Sequence, residues 1–175
     1  MNEEVLTKAK ADLKLNLLNA EAESLSSSDL YMWLIDSGLS SEVAIRLKNF
    51  ADVTENVTDH AISIGKIVLL KIVDFIKLHP NLAIGIAVGA AIGALVSLIP
   101  FLGVYLAPVV ASISATIGAI AGHRIDKIEQ GQTVNTSTDI IAIGQDAIEI
   151  AKEFFKLLAE IFNAVFNEQV LSFRV

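Results

Sequence analysis

The chain of 175 residues contains no cysteine. That excludes a disulfide framework, a thiolate nucleophile and a thiolate metal site. Basic side chains are outnumbered, 13 against 20 acidic, for a net charge of −7 and a pI near 4.9. A phosphate-binding surface of the kind that holds nucleic acid does not fit this balance. The three histidines, His60, His79 and His123, do not stand in HExxH or any other metal-ligand spacing. No GKS or GKT closes a glycine-rich phosphate loop, and no nucleophile, base and orienting group recur at a catalytic spacing. No catalytic, cofactor-binding or metal-binding residue is therefore assigned, and neither a small-molecule substrate nor a nucleic acid is implied. The opening segment MNEEVLTKAKADLKL starts acidic and has no apolar centre, which does not fit a secretory leader.

The absence with the largest consequence is of charge. Residues 81–122 contain no Asp, Glu, Lys or Arg. A single bilayer-spanning helix needs roughly 20 apolar residues, and this run is about twice that. Pro100, Gly103 and Pro108 interrupt it in the segment IPFLGVYLAP. Proline cannot continue a helix without losing a hydrogen bond, and glycine permits a tight turn. The expected object is a hairpin of apolar helices over 82–99 and 107–122. At 1.5 Å per residue each arm is roughly 24–27 Å long, close to the hydrocarbon core.

Small residues recur every fourth position in the hairpin: Gly85, Gly89, Gly93 and Ser97 in the first arm, Ser114, Gly118 and Gly122 in the second. Such spacing keeps them on one helical face. A face of that kind lets two backbones approach where lipid gives no hydrophobic drive for association. The competing explanation is close packing between buried helices of a water-soluble bundle. Lys77 and His79 precede the run, and His123 and Arg124 follow it. A hairpin would bring both flanks to one end. Histidine is the side chain whose charge changes in mildly acidic solution, so that end is a candidate pH-responsive base and a candidate contact for anionic lipid. Ordinary polar capping of helix ends explains the same four residues.

The remaining chain reads as helical throughout, with no convincing strand alternation. Residues 1–50 form an N-terminal helical segment. Within it Leu6, Ala9, Leu13, Leu17 and Ala20 make one apolar stripe over 3–24. Ser26–Ser28 offer N-caps for a short helix from Asp29 to about Asp36, and Gly38 marks its stop. A further helix reaches about Phe50, and Trp33, Leu34, Leu39, Val43 and Leu47 are the expected local core. The rhythm is that of a small helix–turn–helix. Arg46 and Lys48 are too few, and are opposed by Glu42, for DNA contact. An amphipathic helix is expected over 52–79, a polar linker over 124–137, and a second amphipathic helix over 138–168.

The fold class expected is all-α: amphipathic helices around a central glycine-rich apolar hairpin. This arrangement resembles the pore-forming domain of colicins and related bacteriocins, through the uncharged Ala/Gly/Ile-rich hairpin of residues 81–122. The resemblance implies a hairpin buried in a soluble bundle that inserts at a membrane, where neighbouring amphipathic helices join it to open a channel. In that family the hairpin lies near the C-terminus, whereas residues 123–175 follow it here. The expected function is membrane insertion with formation of a pore or conduit, as in a toxin or a phage ejection protein. The expected partners are the lipid bilayer and further copies of the chain. The expected location is the membrane, after a soluble stage. Two other readings fit the same residues. One is a structural or scaffold helical protein, such as a virion component, with its hairpin buried in an oligomer. The other is a resident two-span membrane protein.

Overall fold

A computed structural model describes residues 7–57, 59–113 and 137–172, with side chains of the last segment described over 145–166. The order of elements is α1 (Lys8–Glu23), α2 (Ser27–Asp36), α3 (Ser41–Phe50), β1 (Glu55–Val57), β2 (His60–Ile62), α4 (Ile64–Leu78), α5 (Ile84–Leu98), α6 (102–113) and α7 (Ser137–Ser172). The fold is all-α, with one small antiparallel hairpin in which Glu55 faces Ile62 and Val57 faces His60.

Local chemistry sets most of the boundaries. Thr7 and Ser26 cap α1 and α2, each with its side-chain oxygen accepting backbone N–H groups of the first turn. The stop after α2 is a Schellman arrangement: Gly38 takes φ +97, its N–H donates to Ile35 C=O, and the Leu39 N–H donates to Leu34 C=O. Gly38 therefore ends α2 as its position suggests, and Leu39 turns inward to join Leu34, Val43 and Leu47 in the core, with Trp33 half-buried beside them.

Two expectations are corrected. The helix expected over 52–79 begins only at Ile64. Residues 53–62 are rich in β-branched side chains, with Asn56 and Asp59 among them. Asp59 adopts φ 67, which closes a reversal and pairs β1 with β2. Asp52, Glu55 and Asp59, which would share one face of the expected helix with Lys66, Asp74 and Lys77, instead lie on the turn and hairpin. The second correction concerns α1. The stripe of Leu13 and Leu17 faces outward, 61 % and 63 % exposed, while Ala11, Leu15 and Ala22 are buried. Leucines surround this helix, so periodicity alone leaves two candidate faces. The face bearing Ala11 and Ala22 packs inward because small side chains let α1 lie close to α4 and α7.

At the centre stands α4, which packs against α1, α2, α3, α5 and α7. Ile67, Val68, Leu69, Ile72, Val73 and Phe75 are all essentially inaccessible to solvent. Its first turn passes so close to the end of α3 that a Cβ on Gly65 would run into the Phe50 carbonyl. The Gly65 N–H donates to Val53 C=O at 3.0 Å and fixes the crossing. Ser63, just before α4, is held from the other side, with its N–H on Asn19 Oδ1 at 2.8 Å and its hydroxyl on Glu23.

Candidate membrane-insertion unit

Over its described residues, 81–113, the charge-free run forms a helical hairpin. α5 carries no ionisable side chain and buries Ala87, Val88, Ala90, Ala91, Ile92, Ala94 and Leu95, mainly against α7 and secondarily against α4. The chain then reverses within three residues. The Leu102 N–H donates to Ile99 C=O and the Gly103 N–H to Pro100 C=O, both at 3.0 Å. Pro100 thus occupies the second position of a four-residue turn, where its fixed φ is already correct.

α6 starts at residue 102, earlier than the 107 expected, so Gly103 lies in its first turn and Pro108 lies inside it. Pro108 leaves the Val104 carbonyl without its helical donor. Val104 is 80 % exposed, so this side of α6 is open to solvent and the missing bond is tolerated. Leu102, Leu106 and Val109 bury the opposite side, and the Ser112 hydroxyl donates to Val109 C=O at 2.8 Å.

Aromatic rings clamp the unit onto α7. Phe101, in the turn, stacks on Phe162 at 6.3 Å and meets Phe166 at 5.3 Å. One end of α4 is gripped likewise, with Phe75 lying 5.4 Å from Phe154 and 5.7 Å from Phe155. Two side-chain hydrogen bonds also reach the hairpin. Asn163 Nδ2 donates to Leu98 C=O at 3.0 Å, satisfying one of the carbonyls that the end of α5 leaves without a helical donor. Asn163 Oδ1 is buried without a partner among the described residues. Tyr105 Oη donates to Glu55 Oε1 at 2.7 Å. That bond, then burial, then the nearby carboxylate charge raise the Tyr105 pKa above its ordinary value.

The stripe of small residues lies mostly away from the packed seam. Gly85, Gly93 and Ser97 are exposed and Gly89 is half-buried. A Cβ at Gly89 would only touch Ile113 at 4.0 Å, one at Gly93 would touch Ile148 at 3.9 Å, and one at Gly85 would meet nothing. The tight approach of α5 to the bundle uses alanines instead. Ser114, Gly118, Gly122, His123 and Arg124, together with all of the linker expected over 124–137 except its last residue, lie outside the described residues, and Ser137 opens α7. Of the expected flank, Lys77 places Nζ 5.2 Å over the Trp33 ring. His79 sits with Nδ1 2.8 Å from Phe75 C=O and its ring 4.5 Å from that of Phe75. A carbonyl only accepts, so Nδ1 carries the proton, and His79 caps the end of α4.

Gly65 and Asn163 carry no signal in the sequence. Each acts on a backbone group distant in the chain, and only the crossing of two elements makes either one matter. Among the described residues no group of acidic or histidine side chains is arranged to hold a metal, and no helix is long and apolar enough to cross a membrane. Comparison of the chain with protein-family models, with curated proteins and with solved structures gives no match.

Proposed function

We propose that this protein permeabilises or bridges a membrane, by releasing the α5–α6 hairpin from a helical bundle into lipid and assembling with further copies. The observation carrying this reading is a charge-free hairpin whose α5 packs on α4 and α7 and which is held by apolar packing, the Phe101 clamp and the two side-chain hydrogen bonds above. Apolar side chains that leave the bundle find apolar surroundings again in hydrocarbon, and few polar groups resist the exchange. The resemblance to colicin-type pore-forming domains supports the same sequence of events. In the bundle the small-residue stripe lies mostly open, and in lipid it would be free to form helix–helix contacts.

The exchange requires more than a rigid swing. As folded, α5 has 15 residues, roughly 22 Å of helix against about 30 Å of hydrocarbon. Insertion therefore demands that α5 lengthen or that the bilayer thin locally. The same shortness favours the second reading, a structural helical protein that keeps its hairpin buried.

Dye release from anionic vesicles, with protein added from detergent-free solution at pH 7.5 and pH 5, separates the two. The pore reading expects release, greater at pH 5 because acid weakens repulsion between a net-negative chain and anionic lipid. Gly89→Leu with Gly93→Leu should suppress that release in protein that is still folded. Intact protein that releases no dye at either pH supports the structural reading.

A further inference from the structure

The outward face of α1 has a second consequence. Between α1, α4 and α7 lies an open groove of about 420 Å³, lined by no residue of the hairpin. Its floor is apolar, with Phe155 fully buried there, and its rims are Leu17 of α1 and Leu157 of α7, 63 % and 52 % exposed. Lys14 and Glu21 of α1 and Lys71 of α4 complete the lining. Lys71 is neutralised by Asp74 at 3.6 Å. Lys14, half-buried, has neither an ion pair nor a hydrogen bond from its ammonium among the described residues.

We propose that this groove binds one free long-chain carboxylate, a fatty acid, with its head on the Lys14 ammonium and its tail between Leu17 and Leu157 over Phe155. Size and charge select that occupant. The apolar floor and a single ammonium without an ion pair among the described residues suit one alkyl chain with an anionic head. Ligand pockets of about 300–1,000 Å³ are mostly apolar with a few placed polar groups, and this groove has that make-up. Lys14 and Glu21 stand seven residues apart, roughly 10.5 Å along α1. The groove thus has a cationic end and an anionic end, which orients a single carboxylate toward Lys14. A chain of net charge −7 repels anions elsewhere, so an uncompensated ammonium beside apolar walls is the feature that singles out this place. The site makes no use of the hairpin and does not rest on the pore reading.

The test uses the full chain and 11-(dansylamino)undecanoic acid as fluorescent probe. Saturable binding of one probe per chain is expected, displaced by palmitate and not by hexadecyltrimethylammonium. Lys14→Glu should weaken binding by about tenfold or more, and Leu157→Trp should block it by filling the groove. Leu78→Ser, at an exposed leucine on another part of the surface, should leave binding unchanged. Far-UV circular dichroism of each variant checks that the fold persists. Absent saturable binding to wild-type protein, equal binding by folded Lys14→Glu protein, or equal displacement by the cationic amphiphile would each overturn the assignment. So would a Leu157→Trp variant that loses self-association while still binding probe, which would give the face to a second copy of the chain.

Discussion

Helices α4 and α5 are both 15 residues long, are adjacent in sequence and lie side by side in the bundle, yet they carry different structural weight. α4 has lysines and an aspartate and still buries ten residues, nearly all of them Ile, Leu, Val or Phe. α5 has no charge at all and buries seven, four of them alanine. Burying a large aliphatic or aromatic side chain stabilises by roughly 1.5–3 kcal/mol, and an alanine offers far less area. The more apolar helix is therefore the less firmly held. On the proposed reading, freedom from charge would suit α5 to lipid, and its small side chains would ease its departure from the bundle.

The sharpest way to break this comparison is to truncate one residue in each helix. Phe75→Ala removes a ring fully buried against Phe154 and Phe155 and should cost about 3–5 kcal/mol. Ala91→Gly, at an equally buried position of α5, should cost about 1 kcal/mol through backbone entropy. Denaturant unfolding followed by circular dichroism measures both, and similar costs would mean that α5 is as structural as α4. Glycines give the next contrast. Gly65→Ala forces a methyl into the Phe50 carbonyl and should destabilise by about 1–3 kcal/mol, since backbone must move. Gly93→Ala, where a methyl finds ordinary contact, should stabilise by about 0.5–1 kcal/mol. A Tm rising in the first variant or falling in the second would contradict the packing described.

The same contrast explains what can be read in the sequence. Helices with their own signals are legible: Ser26 and Gly38 bracket α2, and the periodicity over 138–168 lies within α7, Ser137–Ser172. The hairpin is legible because absence of charge needs no tertiary information. What the sequence hides depends on partners. Leu13 and Leu17 satisfy a helical period as well as Ala11 and Leu15 do, and only packing on α4 and α7 chooses between the faces. The small hairpin before α4 is obscured because Asp52, Glu55 and Asp59 also fall on one helical face, whereas β-branched residues and the turn at Asp59 favour strands locally. Pro108 reads as a breaker, yet an open side of α6 tolerates the missing hydrogen bond.

Asn163 provides a finer test of how α5 is retained. Asn163→Leu removes the donor to Leu98 C=O but also removes a buried oxygen that has no partner among the described residues. The two effects oppose, each of them about 1 kcal/mol or somewhat more. Global stability should therefore change by less than about 1 kcal/mol, while the end of α5 loosens locally. Hydrogen exchange should show it at the Ile99 amide, which donates to Leu95 C=O at 2.8 Å. Faster exchange there with little change in Tm would identify Asn163 as a local latch. Unchanged exchange would leave the retention of α5 to apolar packing and the Phe101 clamp.

The smallest effect is expected at the other tie. Tyr105 donates from its neutral phenol to Glu55, and this bond is the first cause of its raised pKa. Ionisation of the phenol removes the donor and sets two negative oxygens against each other. An acid whose pKa is higher folded than unfolded holds its proton more tightly in the fold, so stability is fully present below the ordinary tyrosine range near 10 and is lost as pH rises through the folded value. Tyr105 keeps partial access to solvent, and screening makes the loss modest. Unfolding free energies between pH 8 and 11 should decline less steeply in Tyr105→Phe than in the parent. The difference should concern the α6 end of the hairpin rather than α4, because β1, which supplies Glu55, pairs only with β2 in its sheet and can follow Tyr105 at little cost. An identical slope in the two proteins would mean that the Tyr105–Glu55 bond adds nothing measurable to the hold on α6, which then rests on contacts such as the burial of Leu102, Leu106 and Val109.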